Sequence, residues 1–210
     1  VLNDPAADMN SYGSVHGRVY QDTNLNGRFD PGVDHAQANE RVRVDGSRYV
    51  VSDIDGNFRI ESVASGEHSV YLDLLSLRAD LTLLDNTHQR IPLDSRHDVM
   101  VDFRVVRTGR ITGLVWLDVN ENGRMDEGEQ PLPDVRVLTS SGRDTLTDEK
   151  GYFIIGDLPP GEHIILVDEK TIPDQTRSVA GSRTIKVLAG NESTIEFPVT
   201  ALPAQIKKFP

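Results

Sequence analysis

The sequence predicts an all-β fold made of two tandem β-sandwich domains. Three observations support this prediction: short stretches alternate apolar and polar residues, turn signals recur at short spacing, and most motifs of the first half return in the second. Alternation with a period of two is typical of half-buried strands, and many short strands between turns are typical of a β-sandwich. The repeat unit has about the length of one small domain, so the second copy is a duplicated domain rather than a solenoid repeat.

Alternation places the strands along each copy. Residues 14–21 alternate valine and glycine with polar or aromatic residues, residues 41–44 read Arg-Val-Arg-Val, and residues 194–199 alternate in the same way. Asp-Gly, Ser-Gly and Pro-Gly pairs mark the turns. We expect about seven strands in each domain, arranged as two facing sheets. Residues 74–84 and 167–170 have some helical character, but neither stretch is long enough to predict a helix.

The central motif is the nonapeptide D-x-N-x-N-G-R-x-D, which begins at Asp22 and returns at Asp118. Oxygen side chains at positions one, three and five, Gly at position six and a carbonyl at position seven are the spacing of a calcium loop. Position twelve, where such loops place a bidentate carboxylate, holds Glu129 in the second copy. In the first copy it holds Val33, with Asp34 one residue later. A metal-free Asx turn explains one such string, but two strings at matched places favour calcium.

Motifs on both sides of the loops extend the repeat. Gly17 before the first loop matches Gly113 before the second, and after the loops Val42-Arg-Val44 is matched with Val135-Arg-Val137. The offset between copies is then 96 at the loops (118 minus 22) and 93 just after them (135 minus 42). It returns to 95 at the next turn (148 minus 53) and ends at 94 (197 minus 103). We therefore expect the length changes to lie in loops while the strands stay aligned.

The joint between the copies is short. Residues 99–106 should form the last strand of the first domain, and residues 109–117 the first strand of the second, with only about three residues between them. A joint without a Pro-rich or Gly/Ser-rich spacer restricts the angle between domains, so we expect a stiff rod with its termini at opposite ends. Economical duplication alone would also produce such a joint. The predicted organisation is an N-terminal extension (1–12), two domains (13–107 and 108–201) and a C-terminal tail (202–210).

Composition excludes several classes of function. The net charge is −11, which argues against nucleic acid and anionic membranes as partners. No run approaches the ~20 apolar residues of a membrane helix, so we expect no membrane insertion. Cys is absent, and a bound metal would therefore take the stabilising role that disulfides have in many small extracellular domains.

These motifs resemble the B-type repeat of serine–aspartate-repeat surface proteins, within the collagen-adhesin B-like and transthyretin-like group of β-sandwiches. The resemblance rests on G-x-V-[Y/W]-x-D-x-N-x-N-G-x-x-D, a V-x-V strand, D-x-x-G-x-F and G-E-H, and it extends from about residue 13 to about residue 201. It implies two tandem seven-stranded Ig-like or transthyretin-like domains that are extracellular, stabilised by calcium and non-catalytic. It also implies the calcium ligands Asp118, Asn120, Asn122, Arg124 (through its carbonyl), Asp126 and Glu129, and in the first domain Asp22, Asn24, Asn26, Arg28 and Asp30.

The first domain departs from the family pattern at two points. Val33 at position twelve leaves its sixth ligand open, with Asp34 or water as the candidates. Some members of the group form internal Lys–Asn isopeptide bonds, but the first lysine of the chain is Lys150. Such a bond is therefore excluded in the first domain.

Other conspicuous residues are assigned ordinary structural roles. Asp53 and Asp148 each precede a Gly by three residues, which is typical of a type I turn. His68 and His163 are expected to be solvated strand residues because no second ligand lies at zinc spacing. Tyr20 and Trp116 are expected to pack in the core or against the loops.

Two classes of function remain, and neither is enzymatic, because the sequence contains no hydrolase elbow and no zinc-protease motif. The first is a structural module of a bacterial surface stalk, fibre or filament, whose partners are neighbouring domains or subunits. In such an assembly the terminal segments, which we expect to be disordered in the isolated chain, would dock onto a neighbouring copy to form a homopolymer. The second is an adhesive or carbohydrate-binding accessory module of an exported protein, which an exposed apolar patch would favour.

Overall fold

A computed structural model describes residues 12–46, 48–84 and 88–203. We expect the terminal segments 1–12 and 203–210 to be disordered. Except for Tyr12 and Pro203, these segments lie outside the described residues. The chain divides into two compact units, Val1–Arg107 and Thr108–Pro210. Every regular element in the described ranges is a strand. None of the described segments forms a helix of the length and apolarity needed to cross a membrane.

The first unit consists of two sheets. Its strands in the described ranges are β1 (Tyr12–Gln21), β2 (His35–Ala36), β3 (Arg41–Val44), β4 (Arg48–Val51), β5 (Asn57–Ala64), β6 (Gly66–Leu72), β7 (Leu81–Leu83), β8 (His88–Leu93), β9 (Asp98–Met100) and β10 (Phe103–Arg107). One sheet has the order β2-β1-β10-β7, and β5 and β9 also pair with β1. The other sheet has the order β4-β3-β6-β8.

The second unit repeats this plan. Its strands are β11 (Gly109–Leu117), β12 (Gln130–Pro131), β13 (Arg136–Thr139), β14 (Asp144–Leu146), β15 (Tyr152–Leu158), β16 (Gly161–Val167), β17 (Thr176–Ser178), β18 (Ser182–Val187) and β19 (Glu192–Ala201). Its sheets have the orders β12-β11-β19-β17, with β15 also on β11, and β14-β13-β16-β18.

The predicted all-β sandwich is confirmed, but the prediction of about seven strands per domain is wrong. The described residues contain ten strands in the first unit and nine in the second. The excess consists of strands two or three residues long, such as β2, β12 and β17. Their alternation is too short to be recognised in a sequence.

One apolar core fills each sandwich. In the first unit, Val15 and Val19 of β1 lie in the same buried cluster as Val42 of β3 and Val70 of β6, and all four are fully buried. A second cluster contains the equivalent residues of the other unit. Because successive strand residues point to opposite faces, the alternation seen in the sequence puts one face of each sheet into this core. Each such aliphatic side chain contributes about 1.5–3 kcal/mol when fully buried.

The first and last strands of each unit pair in parallel. In the second unit, β11 and β19 pair without interruption from Arg110 opposite Glu192 to Leu117 opposite Val199. In the first unit, β1 pairs with β9 and then with β10 in one constant register, but the ladder is interrupted at Asp102. There the backbone N–H of Arg18 donates to the Asp102 carboxylate at 2.9 Å. The single strand predicted at residues 99–106 is therefore wrong, because a side chain replaces a backbone acceptor.

Pairing also corrects the alignment of the two copies just after the loops. Val42 lies opposite Leu72, and Val137, rather than Val135, lies opposite Val167. The offset at this strand is therefore 95 (137 minus 42), and the predicted offset of 93 is wrong. A slip of two residues leaves the alternation of a strand unchanged, so the sequence pattern does not detect it.

Candidate metal centres

Each candidate loop begins on the residue that directly follows the first strand of its domain, Asp22 after β1 and Asp118 after β11. The backbone N–H of Asp22 donates to Val105 O at 3.0 Å, and that of Asp118 donates to Val199 O at 2.8 Å. These bonds continue the parallel pairing by one residue and hold the first loop residue against the sandwich. As a result Asp22 and Asp118 are only 1% and 2% exposed. Each loop is therefore built on a buried carboxylate at a fixed place.

The backbone of each loop folds around this carboxylate. Asp22 accepts hydrogen bonds from the N–H groups of Asn26 (3.2 Å) and Gly27 (2.9 Å). Asp118 accepts the equivalent bonds from Asn122 (3.2 Å) and Gly123 (2.8 Å). This turn requires a left-handed backbone at position six, with φ of 85° at Gly27 and 74° at Gly123. A glycine adopts that conformation without steric cost, which explains the residue type at this position.

The aspartate at position nine accepts hydrogen bonds from both asparagine side chains of its loop. The amide of Asn24 donates to Asp30 Oδ2 at 2.9 Å, and the amide of Asn26 donates to the same oxygen. In the second loop Asn120 and Asn122 donate to Asp126 Oδ2 at 2.9 and 2.5 Å.

These hydrogen bonds hold the pKa of the Asp30 and Asp126 carboxyls below the ordinary value. The residues at positions three, five and nine of each loop are thus brought together, and the carboxylate among them is stabilised in its charged form.

Position twelve is filled by a carboxylate in both loops. In the second loop, Glu129 accepts from the N–H groups of Val119 (2.9 Å) and Asp126 (3.0 Å). In the first loop, Asp34 accepts from Thr23 and Asp30, both at 2.8 Å. The two carboxylates thus bridge the same loop positions. Asp34 lies one residue later in its loop than Glu129, and its shorter side chain compensates for this difference. Val33, at position twelve by spacing, is 45% exposed.

The donors fit a hard divalent cation, as far as their chemistry is concerned. Each loop offers carboxylate and amide oxygens together with a backbone carbonyl, and Ca²⁺ prefers oxygen ligands of these kinds. No group of three or more His, Cys, Asp or Glu side chains in the described residues converges as a ready metal cluster. Each carboxylate instead accepts hydrogen bonds from backbone N–H groups or asparagine amides of the loop itself. A cation bound there would add a positive charge beside carboxylates whose hydrogen-bond partners are the N–H groups of the loop.

Arg104 distinguishes the first loop from the second. Its Nη1 lies 3.7 Å from Asp22 Oδ2, and its side chain lines a cavity of about 580 Å³ together with Gly27 and Asp102. The corresponding cavity at the second loop is about 260 Å³ and is lined in part by Asp118, Gly123 and Arg177. Arg104 is not predicted from the sequence, because only the register of the last strand places it beside the loop. The alignment of Phe103 with Phe197 gives Arg104 the position of Pro198 in the second copy, and this difference is the signal that the sequence holds.

The remaining sequence assignments have mixed outcomes. Asp53 and Asp148 begin turns as predicted, closed by N–H bonds from Gly56 (3.0 Å) and Gly151 (2.9 Å). The core packing predicted for Tyr20 and Trp116 is confirmed, since both are at most 1% exposed.

The prediction of solvated histidines is wrong. His163 is 7% exposed and bonds through Nε2 to Pro159 O at 2.8 Å. His68 bonds to Ala64 O (2.7 Å) and Asp45 (2.6 Å), and its side chain is 12% exposed. Each ring thus reaches a carbonyl four residues earlier, across the turn that precedes its strand.

Comparison with known proteins supports the fold. No protein-family model matches the chain. Colossin-A of Dictyostelium discoideum is 27% identical over 202 residues, covering 86% of this chain. Colossin-B of the same organism is 30% identical over 80 residues, covering 32% of the chain. The chain spans only 2% of the length of each of these relatives.

A solved structure has the same fold. The minor pilin GBS52 of Streptococcus agalactiae aligns with a TM-score of 0.55 and 11% identity, covering 94% of this chain and 99% of the pilin. At this identity the likeness shows an all-β sandwich fold and nothing finer.

Proposed function

We propose that the chain is a non-catalytic, extracellular module of a surface stalk, fibre or filament, stabilised by one calcium ion in each domain. The observation that carries the proposal is the repetition of one loop network, in which Asp34 and Glu129 bridge the same two backbone positions. The likeness in fold to a protein described as a minor pilin supports the structural role. The partners of such a module are neighbouring domains or subunits, with the terminal segments as the proposed points of docking.

Calcium would stabilise the fold at the loop that follows the first strand of each domain, β1 or β11. Asp22 and Asp118 are buried carboxylates, and a buried charge that is not fully compensated is costly. A cation bound by the loop offsets that cost in the folded state and has little affinity for the unfolded chain. The binding free energy then appears as folding stability.

Removing calcium is expected to destabilise both domains. For a site with a Kd of ~10⁻⁴ M, millimolar calcium stabilises a domain by about 1.4 kcal/mol, and for a Kd of ~10⁻⁵ M by about 2.7 kcal/mol. We expect the larger shift in the second domain, because Glu129 has the length for bidentate binding and, among the described residues of that domain, no arginine lies within ion-pair distance of Asp118. Scanning calorimetry in calcium, in magnesium and in excess chelator measures the effect. A melting profile that is the same in all three solutions would rule out the proposed role of calcium.

An exposed apolar patch favours a binding module as the second candidate function. Leu146, Tyr152 and Ile154 are 56%, 54% and 60% exposed, and they lie on the contacting edge strands β14 and β15. Exposed apolar groups beside an open sheet edge are typical of surfaces that receive a ligand or an extended strand. The equivalent positions of the first unit are Val51, Asn57 and Arg59, so the patch is specific to the second unit.

The repeat itself supplies the test of this candidate. The variant Tyr152→Asn/Ile154→Arg gives the second unit the residues of the first. We expect any adhesive or carbohydrate ligand found on a glycan array to lose affinity for this variant while the melting temperature changes little. Binding that is retained in full would exclude the patch as a ligand site.

A further inference from the structure

We propose that Arg104 is a built-in cation for the first loop, which makes that loop less dependent on calcium and weaker in binding it than the second. This inference rests on the proposed function, namely that the two loops take calcium. It adds a residue outside the loop that sets how the first domain responds. It also assigns different calcium requirements to two domains whose loop motifs are almost identical.

The sheet register positions Arg104. Arg104 lies on β10, opposite Tyr20 of the parallel strand β1. Tyr20 precedes Asp22, the first residue of the loop, by two residues. The Nη1 of Arg104 is 3.7 Å from Asp22 Oδ2, and the Asp22 side chain is fully buried while that of Arg104 is 26% exposed. An ideal Cβ on Gly27 would lie 2.8 Å from Nη1. The guanidinium group therefore lies directly against the turn at position six.

This contact has opposite effects on the empty and the loaded loop. A guanidinium remains charged at all physiological pH values, so it offsets the charge of Asp22 whether or not a metal is bound. Without calcium it stabilises a buried carboxylate that would otherwise have only backbone N–H partners. With calcium it places a positive charge beside a doubly positive ion, and the two repel each other.

The second loop has no counterpart to this arginine. Pro198 lies opposite Trp116 in the place that Arg104 has opposite Tyr20, and proline carries no charge. Arg177 lines the cavity beside Asp118. However, within the described part of the second unit no basic group reaches ion-pair distance of Asp118. The carboxylate of Asp118 thus depends on a bound cation for charge compensation, and that of Asp22 does not.

The test compares Arg104→Gln with Arg59→Gln, each in the full-length Asp118→Asn chain so that the first loop is measured alone. Arg59 pairs with Asp98, which lies opposite Ser14, eight residues before Asp22 on β1. This separation is about 25 Å along the strand, well beyond the screening length of about 8 Å at physiological salt. The control therefore removes the same charge without affecting the loop.

We expect Arg104→Gln to raise the calcium affinity of the first loop about tenfold by titration calorimetry. We also expect it to lower the melting temperature of the first domain in chelator and to enlarge the shift that calcium produces. Arg59→Gln should leave the affinity and the calcium-induced shift at the parent values. An unchanged or lower affinity in Arg104→Gln overturns the inference.

The two proposals fail in different ways. If the parent chain responds to calcium and Arg104→Gln responds equally, only the role of Arg104 is wrong. If the parent shows no response in either domain but Arg104→Gln gains one, the proposed calcium function is wrong and so is the comparison with the second loop, and only the opposition of Arg104 to a cation at the first loop is retained. If neither chain responds, both are wrong.

Discussion

Replacing Gly113 with alanine is expected to destabilise the second domain by about 3 kcal/mol, the upper end of the range for an overpacked core. An ideal Cβ at this position would lie 2.1 Å from Ile195 O and 2.4 Å from Phe153 Cζ. The first of these atoms belongs to the backbone of the parallel strand β19, so relief requires the strands to separate. For a domain of this size such a loss lowers the melting temperature by roughly 10–20 °C. Scanning calorimetry of the full chain measures it.

The chain contains a matched control for this substitution. Gly156 lies on the neighbouring strand β15, and an added Cβ would meet no atom within 4 Å. Gly156→Ala is therefore expected to change the stability by less than about 0.5 kcal/mol. Gly17→Ala should repeat the large effect in the first domain, where the Cβ would lie 1.9 Å from Val101 O. Equal melting temperatures for Gly113→Ala and Gly156→Ala would show that strand packing around Gly113 is not tight.

Asp34→Ala is expected to destabilise the first domain by about 2 kcal/mol even without calcium. The substitution leaves the N–H groups of Thr23 and Asp30 without their acceptor, and hydrogen bonds to a charged group are worth about 1.5–3 kcal/mol. In calcium the loss should be larger, because a ligand of the cation is removed as well. Chemical denaturation in calcium and in chelator separates the two contributions.

Val33→Ala is the control that decides which residue fills position twelve. Val33 is 45% exposed, and its replacement should change the stability by less than about 0.5 kcal/mol in either solution. The motif spacing assigns position twelve to residue 33, whereas the hydrogen bonds assign it to residue 34. A calcium response that is lost in Val33→Ala and kept in Asp34→Ala would contradict the structural assignment.

The parts of the fold that the sequence predicts are those determined by local pattern. The alternation of residues 14–21 predicts a half-buried strand, and Val15 and Val19 lie in the core. Asp53 and Asp148 predict turns through their own backbone neighbours, and those turns are present. Within each loop, spacing identifies the residues at positions one, three, five and nine that the structure brings together.

The parts that the sequence misses depend on partners distant in the chain. The predicted offset between β3 and β13 is two residues too low, because a slip of two residues leaves the alternation of a strand unchanged. Asp102 interrupts a strand only because Arg18 of another strand donates to its carboxylate. Arg104 lies beside Asp22 only through the pairing of β1 with β10. None of these relations has a signature within one short segment.

The parallel pairing of first and last strands determines how each domain would respond to tension along the chain. Pulling on the start of β11 and the end of β19 slides these two strands past each other, so all the hydrogen bonds between them are strained together. A hairpin pulled at its open end instead breaks one bond at a time. In the first unit the equivalent ladder is interrupted at Asp102, where the N–H of Arg18 bonds to a side-chain carboxylate instead of a backbone carbonyl, so the backbone ladder that resists the force is not continuous. The first domain is then the one that would extend first, while the second keeps its length.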